Sequence, residues 1–253
     1  MNPYAGMRKA NKYLTEILTV FNRAGFDVTV HMTAGPGDGA DTVARLAAEM
    51  DVVACCGGDG TLNETINGIM DMPKRIPIGY VPSGTTCDLA TTLGIPADAD
   101  KAADIIKDGE INDYDIGLFN NRYFSYIASF GAFTQNSYRT PQKLKNRFGH
   151  TAYVLEAAKE IKDIHGIRMK VEYDGGVIED KFCFGSISNS SSIAGMFKLR
   201  EEDVRLNDGK FEVFLVRHMN LFKLAKTILE VMQQKYDPEK VLYIQTSKIR
   251  LTA

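Results

Sequence analysis

The residues with the most evident chemistry sit in one loop, Gly57, Gly58, Asp59 and Gly60, with Thr61, Asn63 and Glu64 directly behind it. The apolar run DVVACC leads in and the helix-patterned TLNETINGIM leads out. The loop therefore lies at the carboxyl end of a predicted parallel strand, the edge where open α/β sheets bind ligands. Glycines let the main chain approach phosphate oxygens, and a helix start offers unpaired N–H groups and a positive dipole end. An aspartate does not suit a bare phosphate. It implies either a cation, with Asp59 reaching Mg²⁺ through water, or a hydroxyl whose proton Asp59 accepts. Both roles belong to phosphoryl transfer. The plainer alternative is a tight turn with a solvated aspartate. GxxxxGK[ST] and the protein-kinase signature set are absent.

Two other small-residue turns support this loop. Pro82, Ser83, Gly84, Thr85, Thr86, Cys87 and Asp88 follow the strand-like IPIGYV, and Asn2, Pro3, Tyr4, Ala5 and Gly6 precede the first helix. Each alone reads as a helix cap. Turns that leave nearby strands of one sheet face the same crevice, which favours a shared ligand.

The elements that must position these turns follow from hydrophobic spacing. Residues 8–25 place Ala10, Tyr13, Leu14, Ile17, Leu18 and Phe21 on one helical face, closed by Gly25. FDVTVHM alternates as a strand, DGADTVARLAAEM returns to helix spacing, and DVVACC is a short β-rich run. Further helices are predicted over TLNETINGIM, over CDLATTLG, which Pro96 stops, and over 98–107. This alternation predicts a parallel sheet with helices on both faces over residues 1–112. From residue 113 the rhythm changes. Hairpins are predicted at Asn120–Asn121 and at Asp174–Gly176, with strands over FEVFLVRH and VLYIQTSKIRLT and helices over 142–163 and 220–234. Residues 113–253 are thus expected to form a second, mainly antiparallel domain.

Composition narrows the function classes. The 253 residues carry 30 Lys plus Arg against 32 Asp plus Glu, a net charge of −2, which argues against nucleic acid as the main partner. Cys55, Cys56, Cys87 and Cys183 have no CxxC spacing, and reduced thiols in a cytoplasmic protein are the expectation. No run approaches the roughly 18 apolar residues of a membrane span. His31, His150, His165 and His218 lack the spacing of a zinc site. Lys143, Lys145 and Arg147, near His150, form a basic cluster that reads as a solvated face or as a docking point for anionic lipid.

Taken together, NPYAG, GGDGTLNETINGI, PSGTTCDLATTLGIP and RLNDGKFEVFLV resemble, in order and spacing, the diacylglycerol kinase catalytic family, most closely its soluble bacterial lipid kinases. The resemblance covers nearly the whole chain. The combined motifs are specific, whereas GGDG alone is shared with NAD kinases and phosphofructokinases. The resemblance implies an NAD-kinase-like α/β domain followed by a β-sandwich domain. It also implies transfer of the γ-phosphoryl group of ATP, with Mg²⁺, to the hydroxyl of diacylglycerol or a related lipid. By match to the family's nucleotide-contact motifs, Asn2, Gly6, Thr33, Gly58, Asp59, Gly60, Thr61, Asn63, Glu64 and Thr85 fall at the nucleotide, with Asp59 as the catalytic residue. A structural Mg²⁺ of some bacterial members would correspond to Asp208 with the carbonyls of Arg205 and Lys210; a plain turn before a strand is the equal alternative. Gly131, Ala132, Phe133 and Thr134 match a segment that lines the lipid side in relatives. The lipid is expected to be met at the membrane surface from a cytoplasmic protein without a membrane span, and homodimer formation is left open. The alternatives are an NAD-kinase-like transferase and a nucleotide-binding regulatory protein without catalysis.

The sequence departs from the family in places. Cys87 replaces the asparagine of GTxND, and a thiol forms far weaker hydrogen bonds than an amide. Met7 stands where a lysine is frequent. The strand that leads into NP in relatives, and the later DGE segment whose acid is assigned as general base, are expected to lie outside these 253 residues. Glu110, in an earlier DGE, is not that base.

Overall fold

A computed structural model describes residues 1–5, 10–132, 165–193, 197–199 and 204–253. Gly6, Met7, Phe133, Thr134, the cluster Lys143, Lys145, Arg147 and His150, and the helix expected over 142–163 lie outside the described residues. The chain forms two compact units, Met1–Tyr126 and Ile127–Ala253.

In the first unit helices α1 (Ala10–Arg23), α2 (Asp38–Leu46), α3 (Asp59–Met70), α4 (Asp88–Thr92) and α5 (Ala99–Asp108) surround strands β1 (Val53–Gly57) and β2 (Ile78–Pro82). The two strands pair in parallel, Val53 opposite Ile78 through Gly57 opposite Pro82. Successive side chains alternate between the faces, so Cys56 and Val81 pack with Ile17, Phe21 and Ala102 under α1 and α5. Cys55 and Tyr80 pack with Leu62, Ile66 and Leu89 under α3 and α4. Helices therefore cover both faces, as the alternating pattern predicts.

FDVTVHM is the exception. Its residues 26–32 join no strand ladder, and Val28, Val30 and Met32 are 38%, 42% and 37% exposed rather than buried. The physical reason is the neighbour. Among the described residues, Met1 and Asn2 bridge this segment to β1: the Met1 amino group donates to His31 O at 2.9 Å, Thr33 N–H to Met1 O at 2.9 Å, and Asn2 N–H to Cys56 O at 2.9 Å. Beyond that single rung lies an apolar cavity of about 200 Å³ lined by Leu14, Ile17, Val30, Val43 and Val53, among others.

Residues 113–126, which the sequence groups with the second domain, pack within the first unit. They carry the hairpin β3 (Gly117–Phe119) and β4 (Arg122–Phe124). Asn67 of α3 clasps it, accepting from Tyr123 N–H at 3.1 Å and donating to Tyr123 O at 3.0 Å.

Among its described residues the second unit forms a six-stranded antiparallel sheet with a separate short pair. The sheet comprises β5 (Ile127–Gly131), β6 (Ile167–Tyr173), β7 (Gly176–Ser188), β10 (Phe211–Arg217), β11 (Val241–Thr246) and β12 (Ile249–Thr252). The separate pair is β8 (Ser192–Ile193) with β9 (Phe197–Lys198). Helix α6 (Leu221–Met232) lays Leu224 and Val231 on Phe184, Phe214 and Val216. Each of the larger buried apolar side chains contributes roughly 1.5–3 kcal/mol.

Both faces of β10 are buried, which places Glu212, only 1% exposed, among Ser186, Ser188 and Gln245. One carboxylate oxygen accepts from Gln245 Nε2 at 3.3 Å, and the other has no partner of good geometry among the described residues. Burial pushes the Glu212 carboxyl up to about 7. A carboxyl raised in the folded state is penalised once it must ionise. Stability is therefore greatest below the ordinary carboxyl range and falls as pH rises towards about 7. Glu212→Gln is expected to raise the melting temperature at pH 8 and change it little at pH 4.5, checked by thermal melts across that range.

Candidate functional site

Strand β1 ends at Gly57, and Gly58 is the N-cap residue of α3 with no side chain capping it. The first N–H groups of α3 have no partner inside the helix, so its positive end is offered to whatever stands before it. What stands before it is a pocket of about 490 Å³ within the first unit. Asn2, Thr33, Gly58, Gly60, Thr61, Glu64 and Thr85 line it, seven of the ten residues that the sequence assigns to a nucleotide.

Four chain segments converge there, each for a local reason. Asn2 donates from Nδ2 to Thr61 Oγ1 at 3.1 Å and accepts from Tyr4 N–H at 2.9 Å, which fixes the amino-terminal turn over the start of α3. The turn after β2 is drawn onto the glycine loop through Gly57 O, which accepts from Ser83 N–H at 2.8 Å and from the Tyr80 hydroxyl at 3.3 Å. At their closest the two loops meet glycine to glycine: a Cβ on Gly84 would stand 2.5 Å from Gly58 Cα. Cys87 stands in this turn at φ 50°. Its sulfur accepts from Gly84 N–H at 3.2 Å and points its thiol at Gly57 O, 3.9 Å away. Burial pushes this thiol above its usual range, so it stays protonated and acts as a weak bridge rather than a nucleophile.

Of the remaining three predicted residues, Asn63 and Asp59 stand apart from the lining. Gly6 lies outside the described residues. Asn63 turns to the β3–β4 hairpin and accepts from Ser125 N–H at 3.2 Å. Asp59 turns towards α4, where its two oxygens accept from Asp88 N–H at 3.3 Å and Leu89 N–H at 3.4 Å. It thereby caps a helix whose own N-cap residue, Cys87, makes no side-chain cap. The carboxylate is held against the third small-residue turn, beside the pocket rather than in its wall.

Tyr4, Ala5 and Gly84, from the two supporting turns of the sequence, also line the pocket, as do Gly35 and Pro36, which are not among the residues named from the sequence. For Gly35 and Pro36 the signal was present in AGPG, a turn that follows an extended segment just as the other two loops do. In the second unit Arg205, Asp208 and Lys210 share one turn, with Asp208 Oδ1 accepting from Lys210 N–H at 3.0 Å. Among the described residues no group of three or more His, Cys, Asp or Glu could hold a metal ion.

Comparison with known proteins gives a consistent set of matches. Residues 1–119 match the diacylglycerol kinase catalytic domain. The chain is 31% identical to a diacylglycerol kinase of Bacillus subtilis (strain 168) over 253 residues, covering 99% of this chain and 83% of that protein. It is 33% identical to a diacylglycerol kinase of Staphylococcus carnosus (strain TM300) over 254 residues, covering 100% and 83%. A crystal structure of a diacylglycerol kinase from Bacillus anthracis str. Sterne superposes with a TM-score of 0.76 over 99% of this chain and 83% of that one, at 22% identity, and speaks to the fold alone.

Proposed function

Because the chain belongs to the diacylglycerol kinase catalytic family, we propose that it transfers the γ-phosphoryl group of ATP to a lipid hydroxyl, that of diacylglycerol or a close relative. The observation that carries this reading is the convergence of Asn2, Thr33, Gly58, Gly60, Thr61, Glu64 and Thr85 on one pocket at the positive end of α3. Gly58, Gly60 and Thr61 set main-chain N–H groups against phosphate oxygens, and Asn2 keeps the Thr61 hydroxyl oriented. Such transfer needs little covalent help from the protein; positioning and charge neutralisation do most of the work.

The site suits Mg²⁺ of a particular kind. Since the described residues hold no carboxylate cluster, the ion would be held by phosphates and water with a single protein carboxylate, a normal arrangement for this metal. Asp59 is that carboxylate: its hydrogen bonds of 3.3 and 3.4 Å are long, and each oxygen keeps acceptor capacity. When bound, the ion would offset charge on the phosphates. The turn of Arg205, Asp208 and Lys210 offers an all-oxygen set, one carboxylate and two carbonyls, for a second, structural cation. The lipid would be met peripherally, as no described helix is long and apolar enough to cross a membrane.

The test is transfer of label from γ-labelled ATP, with and without Mg²⁺, to a panel of diacylglycerol, long-chain bases, polyprenols and NAD. Label extracted into an organic-phase product is the expected result. Label on NAD would replace the lipid by a dinucleotide, and ATP binding without any transfer would leave a regulatory protein.

A further inference from the structure

Helix α2 begins at Asp38 with Gly37 as its N-cap residue, at φ 87°, and nothing on Gly37 can cap it. The cap comes from another helix. Glu64, one turn into α3, accepts from Gly37 N–H at 2.9 Å through one oxygen and from Gly39 N–H at 3.3 Å through the other. Four residues on, Gly68 brings α3 so close to α2 that a Cβ there would meet Ala40 O at 2.6 Å. The two helices are thus fastened at successive turns, once by charge and once by close approach.

This fastening borders the pocket. Thr33, Gly35 and Pro36 form one wall just ahead of Gly37, while Gly58, Gly60 and Thr61 on α3 form another. A carboxylate facing a triphosphate would repel it. Spread over two N–H groups at the positive end of α2, the Glu64 charge is offset, and the same contact occupies a helix start that would otherwise compete for phosphate.

We propose that Glu64 is a positioning residue, which sets the Thr33–Pro36 wall against the glycine loop and leaves α3 as the helix end open to phosphate, rather than a ligand of the nucleotide or its metal. The proposal rests on the kinase reading of the pocket for its kinetic consequence and on geometry alone for its structural one.

The structural arm is amide hydrogen exchange on the full chain without nucleotide. In Glu64→Ala the Gly37 and Gly39 amides should exchange about tenfold faster or more, with Glu64→Gln intermediate because its amide keeps a single acceptor oxygen. Unchanged exchange at both glycines in both variants would overturn the proposal. The kinetic arm is KM against kcat. Glu64→Gln should raise KM for ATP about tenfold while kcat changes less than about twofold and the Mg²⁺ dependence stays put. A collapse of kcat with a shifted Mg²⁺ dependence would make Glu64 a direct ligand instead. A wild-type chain that neither binds nor consumes ATP would sink the kinase reading, and the exchange arm would still decide the role of Glu64.

Discussion

Asp59→Asn is expected to lower phosphoryl transfer about 10²–10³-fold, the usual cost of removing one preorganised electrostatic contact from a reacting centre. The change is nearly isosteric and deletes a charge, so its effect on the fold should be small by comparison. Of the two N–H groups now held by the carboxylate, those of Asp88 and Leu89, the asparagine oxygen can still accept one. Loss of the other resembles the weakening of a helix cap, about 0.5–2 kcal/mol at most. A thermal melt and an initial-rate assay on the same preparation separate the two effects. If the melting temperature falls while activity survives within a few fold, Asp59 is a helix cap and nothing more.

Gly84→Ala should be nearly as damaging for a different reason. The added carbon would lie 2.5 Å from Gly58 Cα and 3.1 Å from the Cys87 sulfur, where carbon contacts ordinarily start at about 3.5 Å. Because the near atom is main chain, no rotamer change relieves the clash, and the two loops must part by about 1 Å, a displacement that can cost 10²-fold in rate. Overpacking adds about 1–3 kcal/mol of destabilisation. ATP-induced thermal stabilisation should be lost together with turnover. Undiminished stabilisation by ATP would show that the two loops do not need their close contact.

The described helices and their buried faces were legible because a helical stripe repeats often enough to be read from spacing alone. The segment 26–32 alternates as cleanly as any strand, yet pairing needs a neighbour along its whole length, and alternation says nothing about neighbours. Glu212 was hidden for a related reason: an acid near the start of a strand suggests solvent, but FEVFLV is otherwise continuously apolar and both faces of that strand are covered, so the acid is buried. At the site the residues were found and their directions were not. Spacing puts Asp59, Asn63 and Glu64 on the first turns of α3, but which way each side chain turns is set by orphan N–H groups on α4, the hairpin and α2. Those partners lie 25 to 62 residues away along the chain. The hairpin of residues 117–124 belongs to the first unit for the same reason, since the asparagines that hold it sit on α3.

The twelve residues of α3 thus fasten two other helices and a hairpin as well as facing the sheet. A helix tied on so many sides cannot fray one contact at a time. The surroundings of the pocket should open as a single cooperative unit, with amides of α2, the start of α4 and residues 123–125 sharing one opening free energy in native-state exchange. A cleft held this way has its shape fixed before any ligand arrives, so little ordering entropy is left to be lost on binding.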